Sequence, residues 1–182
     1  IVNEPNSNTY YWSNSYYMRN HDNTSSDYSP TESQGYWSAL QSGKKMGRPD
    51  YIIALMDCSN MLWCFGNNSV EVHYDTGNYN GQQFSRYEGA IIEVGCAASN
   101  SVSKFANNVF WLGSDKSGIV GVFMNEGMVG KRISTRGIEQ IIEFMPKSSD
   151  CIAFTYSQAG HSFYVMQFPS ANKTLVYDIS TN

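Results

Sequence analysis

Charged side chains are scarce in this sequence, and their scarcity narrows the classes of function. Only 15% of the 182 residues are charged, against about a quarter in an average domain. The net charge of -4 and the pI of about 5.3 argue against broad electrostatic binding to nucleic acid, which requires clustered Lys and Arg. They do not exclude a channel through which DNA slides without binding.

Long apolar segments are also missing. No run of about 18 consecutive apolar residues occurs, so the sequence predicts no membrane-spanning helix. The N-terminal residues have neither a charged start nor an apolar core, so no signal peptide is expected. Cysteines stand at positions 58, 64, 96 and 151 without any Cys-x-x-Cys pair, and we expect buried, reduced thiols rather than a zinc site.

Catalytic signatures are absent from the sequence as well. Neither Gly-x-Ser-x-Gly nor His-Glu-x-x-His occurs, and no glycine-rich phosphate loop is present. Most carboxylates stand at predicted turns or strand ends, where Asp typically accepts hydrogen bonds from backbone amides. A glycoside hydrolase would need a pair of carboxylates, from residues such as Asp115 and Asp150, within about 5–9.5 Å of each other. We therefore predict a protein that is not an enzyme and has no catalytic, cofactor-binding or metal-binding residues.

Aromatic residues are abundant and favour β-structure. The chain has 13 Tyr, 9 Phe and 4 Trp. In the central stretch, residues 109–112 and 119–124 read as strands, and a third extended segment reaches Ile133. Turns interrupt these strands, and Gly113 and Gly118 are expected to supply positive φ between the first two. The pattern predicts an antiparallel meander.

One short helix is predicted immediately after this meander, near residues 136–144. The period changes there, because Ile138, Ile141 and Ile142 fall at positions i, i+3 and i+4. Glu139 lies near the expected N-terminus, where the helix dipole favours a negative charge.

Three meanders follow one another along the chain, at residues 49–90, 91–149 and 150–182, after a Tyr-rich stretch of strands and loop at residues 1–48. This spacing predicts a single all-β domain over residues 1–182, a β-propeller-like array of about three to four antiparallel blades. Closed propellers typically have about four to eight blades. Two interpretations stay open: the N-terminal strands supply a fourth blade, or the array is part of a larger propeller.

Within the first of these meanders the pattern gives specific expectations. Residues 51–56 are apolar throughout, so we expect a strand buried on both faces. Residues 70–74 alternate with period two, and His73 is interpreted as an ordinary strand histidine. Residues 78–90 are interpreted as a loop.

The aromatic residues of the N-terminal stretch are candidates for partner binding, because Tyr and Trp carry interface energy at low entropic cost. The alternative is that they pack against the sheets. The candidates are Tyr10, Tyr11, Trp12, Tyr16, Tyr17, Tyr36 and Trp37.

Several segments, in this order, resemble the packaged-DNA stabilisation proteins, or tail hubs, of short-tailed bacteriophages and related prophages. The order of the segments is the specific part of the resemblance, which extends over residues 35–180. The segments include Pro49-Asp50-Tyr51-Ile52-Ile53, Met61-Leu62-Trp63-Cys64-Phe65-Gly66, Gly95-Cys96-Ala97-Ala98, Val109-Phe110-Trp111-Leu112-Gly113-Ser114-Asp115 and Lys131-Arg132-Ile133-Ser134-Thr135.

The resemblance implies a β-propeller-like fold and a structural role in the virion tail. Such proteins form a hub or plug below the portal, retain packaged DNA and anchor distal tail parts. The implied partners are the portal or adaptor ring, the spike, fibre or needle, and further copies of the chain, with at most non-specific contact with DNA and no membrane. The implied location is the virion, and the host cytoplasm during assembly. The alternative is a carbohydrate- or receptor-binding propeller module, with Tyr and Trp stacking on sugars and Asn and Asp binding hydroxyls.

Overall fold

The computed structural model describes residues 1–13, 37–48, 50–78, 82–115 and 117–181, and only the backbone of residues 37–40. These residues form four antiparallel sheets that follow one another along the chain. The first contains β1 (Val2–Asn3), β2 (Thr9–Ser13) and β3 (Trp37–Lys44). The second contains β4 (Ile52–Cys58), β5 (Met61–Gly66), β6 (Val70–Asp75) and β7 (Phe84–Ile92).

The third and fourth sheets are connected by a short helix. The third sheet contains β8 (Gly95–Cys96), β9 (Ser103–Phe105), β10 (Asn108–Ser114), β11 (Val120–Glu126) and β12 (Val129–Arg132). Helix α1 (Arg136–Glu143) follows it. The fourth sheet contains β13 (Ile152–Gln158), β14 (His161–Phe168) and β15 (Lys173–Asp178). Within the described residues, the prediction of an all-β array of antiparallel meanders with one short helix is confirmed.

Two-residue turns set the register of the first hairpin in the second and fourth sheets. Ser59 and Asn60 both have positive φ, 53° and 59°, and join β4 to β5. Ala159 and Gly160 do the same between β13 and β14, with φ of 51° and 83°. Positive φ at both turn residues matches the right-handed twist of the flanking strands, so these turns favour tight hairpins.

The middle strand β5 is buried on both faces because it lies between two neighbouring sheets. Leu62 and Cys64 belong to the core shared with the first sheet. Trp63 and Phe65 belong to the core shared with the third sheet. Because successive side chains of a strand point to opposite faces, β5 contributes alternate residues to two hydrophobic cores.

The same division occurs in β10 of the third sheet. Val109 and Trp111 pack toward the second sheet, and Phe110 and Leu112 pack toward the fourth. At least one aromatic pair spans each junction between successive sheets, and edge-to-face or offset pairs of this kind add to the energy of simple burial. The pairs, with their ring-centroid separations, are Trp12–Phe84 at 5.2 Å, Phe65–Trp111 at 5.4 Å and Phe110–Tyr164 at 5.3 Å.

Helix α1 is held at its N-terminal end by a buried carboxylate. Glu139 is only 3% exposed. Its Oε1 accepts a hydrogen bond of 2.8 Å from Ser134 Oγ and lies 3.1 Å from Nε of Arg132. Ile138 and Ile142 pack into the core between the third and fourth sheets, whereas Ile141 is 38% exposed. The predicted helix is confirmed. Only two of its three isoleucines, Ile138 and Ile142, belong to the apolar face that packs on the core.

Three local predictions need correction. Residues 78–90 were expected to form a loop, but β7 includes residues 84–90. These residues are largely polar because β7 is an edge strand of the second sheet and is partly exposed to solvent. Gly113 lies within β10 and lacks positive φ, whereas Gly118 has φ of 78°. Residues 53–56 are half-buried rather than buried on both faces, because β4 is the other edge strand of that sheet.

Candidate functional site

The carboxylates considered for catalysis hold turns. Asp115 Oδ1 accepts hydrogen bonds from the backbone N–H groups of Ser117, at 2.8 Å, and Ile119, at 3.1 Å. Asp150 Oδ2 accepts a hydrogen bond of 2.8 Å from the Ser170 N–H. This hydrogen bond lowers the pKa of Asp150, and its effect is larger than the opposing effect of desolvation. Within the described residues, no three His, Cys, Asp or Glu side chains are grouped to hold a metal ion. No helix in that part of the chain is long and apolar enough to cross a membrane.

The most concentrated polar chemistry lies between the first two sheets, around a fully buried lysine. Lys45 follows β3, and its ammonium forms an ion pair with the Asp50 carboxylate. It also donates hydrogen bonds to Ser69 Oγ at 2.5 Å and to the Arg48 carbonyl oxygen at 2.9 Å. The Glu71 carboxylate lies 3.5 Å away. A buried ammonium is tolerated only with such compensation, because removing it from water is costly.

Glu71 is the second buried charge of this cluster. Its two carboxylate oxygens accept hydrogen bonds from the backbone N–H groups of Arg48, at 2.8 Å, and Met46, at 3.2 Å. His73 Nε2 lies 3.6 Å from Oε2, slightly beyond normal hydrogen-bond distance. Burial alone would raise the pKa of Glu71, but His73, the Arg48 N–H and the Lys45 charge outweigh it and lower the pKa to about 2.

His73 connects this cluster to the first sheet. Its Nδ1 shares a hydrogen bond of 2.8 Å with the hydroxyl of Tyr10, which is fully buried. Burial, together with the nearby Cys64 and Glu71, raises the pKa of Tyr10. Gly43 lies opposite Tyr10 in the register, and a Cβ at that position would come within 2.4 Å of the ring. His73 is therefore a structural connector, in agreement with its interpretation as a strand histidine.

The inner edges of three sheets meet in a second, exposed polar row. Lys104 of β9 forms an ion pair with the Asp57 carboxylate of β4 and donates a hydrogen bond of 3.2 Å to the Asp57 carbonyl oxygen. Thr155 of β13 donates one of 2.8 Å to the Lys104 carbonyl oxygen. Asp57 is largely exposed, so its ion pair adds little stability. The row makes opposite charges neutralise each other where the edge strands converge.

A cavity of about 410 Å³ opens between the third and fourth sheets beside helix α1. Its floor is apolar, with Val122, Ile138 and Leu175, and Lys131 and Arg132 lie in its wall. Both basic side chains already have acidic partners, Glu126 for Lys131 and Glu139 for Arg132. The cavity therefore carries no uncompensated charge that would select an ionic ligand.

The face of the fourth sheet that points away from the third is exposed and apolar. On β13, Phe154 is 50% exposed, and on β15 Val176 is 57% exposed. The register places Phe154 beside Val165 and Val165 beside Val176, so the three strands share this face. We call this surface the outer face; it consists of Ile152, Phe154, Tyr156, Phe163, Val165 and Val176. Phe163 is half-buried, and Val165, on the middle strand, is only 6% exposed. Contiguous apolar surface of this kind typically marks an interaction site.

The predicted partner-binding aromatics divide into three groups. Tyr10 and Trp12 are 0% and 4% exposed and pack on the second sheet, so they are core residues and cannot form a contact surface. The alternative of packing against the sheets therefore holds for these two, because β2 directs them inward. Tyr11 is half-buried and points the other way. Tyr16, Tyr17 and Tyr36 lie outside the described residues, and Trp37 is described only by its backbone at the start of β3.

Sequence reasoning missed the buried pair Lys45 and Glu71 and the outer face. Lys45 lies in a short basic segment with Lys44 and Arg48, and nothing in the local pattern indicates that its side chain is buried. The outer face did have a signal, because Ile152, Phe154 and Tyr156 alternate along one strand. Alternation alone does not tell which of the two faces another sheet covers.

Successive antiparallel sheets packed face to face, with their edge strands converging, define an all-β fold of the β-propeller class. Residues 3–182 match the family described as Bacteriophage P22 Gp10, beta-propeller. The chain therefore belongs to this family of phage packaged-DNA stabilisation proteins, and the resemblance noted in the sequence is confirmed. A search of curated proteins found no match.

Proposed function

We propose that this chain is a hub or plug of a phage tail, placed below the portal, where it retains packaged DNA and anchors distal tail parts. The single observation that carries the proposal is the family match over residues 3–182. In this role residues 1–182 act as one domain, and the protein is not an enzyme. Its partners would be the portal or adaptor ring, the spike, fibre or needle, and other copies of the chain. It would act in the virion, after assembly in the host cytoplasm.

The way in which the sheets are joined supports a load-resisting role. Three hydrophobic cores lie between successive sheets, and strands β5 and β10 each contribute side chains to two of these cores. The buried cluster around Lys45 adds polar connections between the first and second sheets. Shear between sheets would break apolar packing and buried ion pairs together, so a plug built this way resists pressure as one body.

The charge distribution supports passage of DNA without tight binding. A site for duplex DNA needs clustered unpaired Lys and Arg, since phosphate contacts supply most of the affinity. Here, Lys104 at the convergent edges is paired with Asp57, and Lys131 is paired with Glu126. A wall in which charges are paired favours sliding, and base-specific recognition is not expected.

The test is to produce particles that lack this chain and to measure how much DNA the filled heads retain. We expect DNA loss, and recovery of retention when the purified chain is added back. The matched control adds back the chain with Lys45→Met, which is expected to be destabilised and to restore less. Heads that stay full but fail to adsorb to cells would contradict the plug and support the receptor-binding alternative, which a glycan array would then test.

A further inference from the structure

The ion pair of Lys45 and Asp50 holds an amine and a carboxyl group together out of water. The Lys45 side chain is 0% exposed and its ammonium contacts Oδ1 of Asp50, whose side chain is 9% exposed. An amine and a carboxyl group condense into an amide when they are held in contact and water is excluded. Burial also favours the product, because a neutral amide replaces two desolvated charges. The pair therefore meets the first requirement for an amide bond between two side chains.

The second oxygen of the Asp50 carboxylate lies where an oxyanion would be stabilised. Its Oδ2 accepts hydrogen bonds from the backbone N–H groups of Asn68, at 2.6 Å, and Ser69, at 3.1 Å. Attack on Cγ would place the negative charge of the tetrahedral intermediate on this oxygen, and two fixed N–H donors stabilise such a charge. The turn has room for the carboxylate because residue 66 is glycine; a Cβ on Gly66 would lie 2.4 Å from Oδ2.

Glu71 is placed to carry protons for this reaction. Its side chain is fully buried, and Oε1 lies 3.5 Å from Nζ of Lys45. Glu71 also accepts hydrogen bonds from the backbone N–H groups of Met46 and Arg48, so it keeps partners after the charge of Lys45 is lost. A carboxylate beside an amine acts as a general base toward the attacking nitrogen and then as a general acid toward the leaving oxygen.

We infer that Lys45 and Asp50 condense into an amide bond, a modification that the chain makes on itself. A proton passes from Nζ to Oδ1, and the resulting amine attacks Cγ. Glu71 takes a second proton from the nitrogen and delivers it to Oδ1. The Cγ–Oδ1 bond then breaks, Oδ1 leaves as water, and Glu71 is regenerated. The ion pair seen in the structure is the reactant, and no other reactant is needed.

The bond would join the two ends of the segment that connects β3 to β4. This segment leads from the first sheet to the second, so the bond would close the connection between these sheets covalently. The inference goes beyond the proposed function and does not rest on it, because it depends only on the chemistry of the buried cluster.

The experiment measures the intact mass of the soluble, folded chain after it is transferred to denaturant, where an ion pair separates and an amide persists. We expect a mass lower than that of the sequence by one water molecule. Tandem mass spectra should lack backbone fragments from cleavage between residues 45 and 50, because the amide closes that segment into a ring. A folded chain that keeps its full mass overturns the inference.

Three variants assign the water loss to this site. Lys45→Met lacks the amine and should keep the full mass, whereas Lys44→Met, at the exposed neighbouring position, should lose water like the parent. A loss that persists in Lys45→Met comes from another reaction, such as cyclisation of Asp50 onto its own backbone, and overturns the inference.

Glu71→Gln keeps the amine and the carboxyl group but removes the proton carrier. It should form the bond at least about a hundredfold more slowly, so the freshly purified variant should keep its full mass. Conversion at the rate of the parent would overturn the role of Glu71. Urea unfolding of each variant verifies that the fold is retained.

Discussion

Tyr164 on β14 donates a hydrogen bond of 2.7 Å from its hydroxyl to the backbone carbonyl oxygen of Ser101, which precedes β9 in the third sheet. Both residues are fully buried. Ser101 Oγ in turn donates to the Ala98 carbonyl oxygen at 2.7 Å and accepts from the Leu112 N–H at 3.0 Å. One phenol therefore connects the fourth sheet to a turn that is itself fixed to β10.

Tyr164→Phe should destabilise the chain by about 1–2 kcal/mol, because the Ser101 carbonyl oxygen loses its buried donor while the ring still fills its place. Urea unfolding should show a lower midpoint with an unchanged slope. Tyr74→Phe is the control, since Tyr74 is 40% exposed, and its midpoint should stay within error of the parent. Equal effects of the two substitutions would contradict the role of the Tyr164 hydrogen bond.

Lys45→Met should cost about 3–5 kcal/mol, because it leaves the buried Glu71 and Asp50 carboxylates without their cation. Met preserves the apolar stem, so the loss reports the charge rather than the packing. The neighbouring Lys44 is exposed and gives a matched control, with Lys44→Met expected within about 0.5 kcal/mol of the parent. Denaturant unfolding at neutral pH measures both, and a parent-like Lys45→Met would show that the buried cluster contributes no stability.

Stability should fall as the pH drops through the titration of Glu71. Its pKa is lowered to about 2 in the folded chain, against about 4.3 for an unperturbed Glu. The unfolded state therefore takes up the proton first, and the stabilisation present above about pH 5 is lost progressively toward pH 2. Glu71→Gln should be less stable at pH 7 and should show a flatter dependence between these values. An identical pH profile for parent and variant, measured by urea unfolding, would contradict this assignment.

Gly95→Ala should be strongly destabilising, because an added Cβ would lie 1.8 Å from the Asn67 carbonyl oxygen, a backbone atom that cannot move aside alone. We expect a loss of at least about 2 kcal/mol. Gly137→Ala is the opposite control, since Gly137 lies within helix α1 with nothing within 4 Å of the added Cβ. It should stabilise by about 0.5–1 kcal/mol. Thermal unfolding should show a lower midpoint than the parent for Gly95→Ala and a higher midpoint for Gly137→Ala.

The four cysteines should resist alkylation until the chain unfolds. All are buried free thiols, in agreement with the prediction from the sequence. Burial raises the pKa of Cys96 to about 11 and, together with the charge of Asp150, that of Cys151 to about 12. Burial keeps the reagent from all four thiols, so mass spectrometry after iodoacetamide treatment at pH 8 should show unlabelled native chain and four labels in denaturant. A cysteine labelled rapidly in the native chain would contradict its burial.

Much of the architecture was predictable because it depends on neighbours in the sequence. The strands around Trp63 and Trp111 follow from aromatic and β-branched residues between turn signals. Helix α1 follows from the change of period at Ile138. The family followed from the order of several such segments, which no single motif would have indicated.

The candidate surfaces were harder to predict, because burial depends on residues far away in the sequence. Glu71 and His73 read as the polar positions of an alternating strand, yet both are buried, since residues 45–48 and the first sheet cover them. Tyr10 was predicted to contact a partner, but it is a core residue, because β2 directs its side chain toward His73.

The β class, the helix and the absence of catalytic motifs can be read from the sequence, because composition and hydrophobic periods of two or 3.6 residues are local properties. The tertiary structure alone decided which face of each strand is covered. Phe110 and Phe154 have the same chemistry, and the first is fully buried whereas the second is half exposed. The physical reason is that a sheet face gains stability only where another sheet excludes water from it, and that pairing joins residues that are distant in the chain.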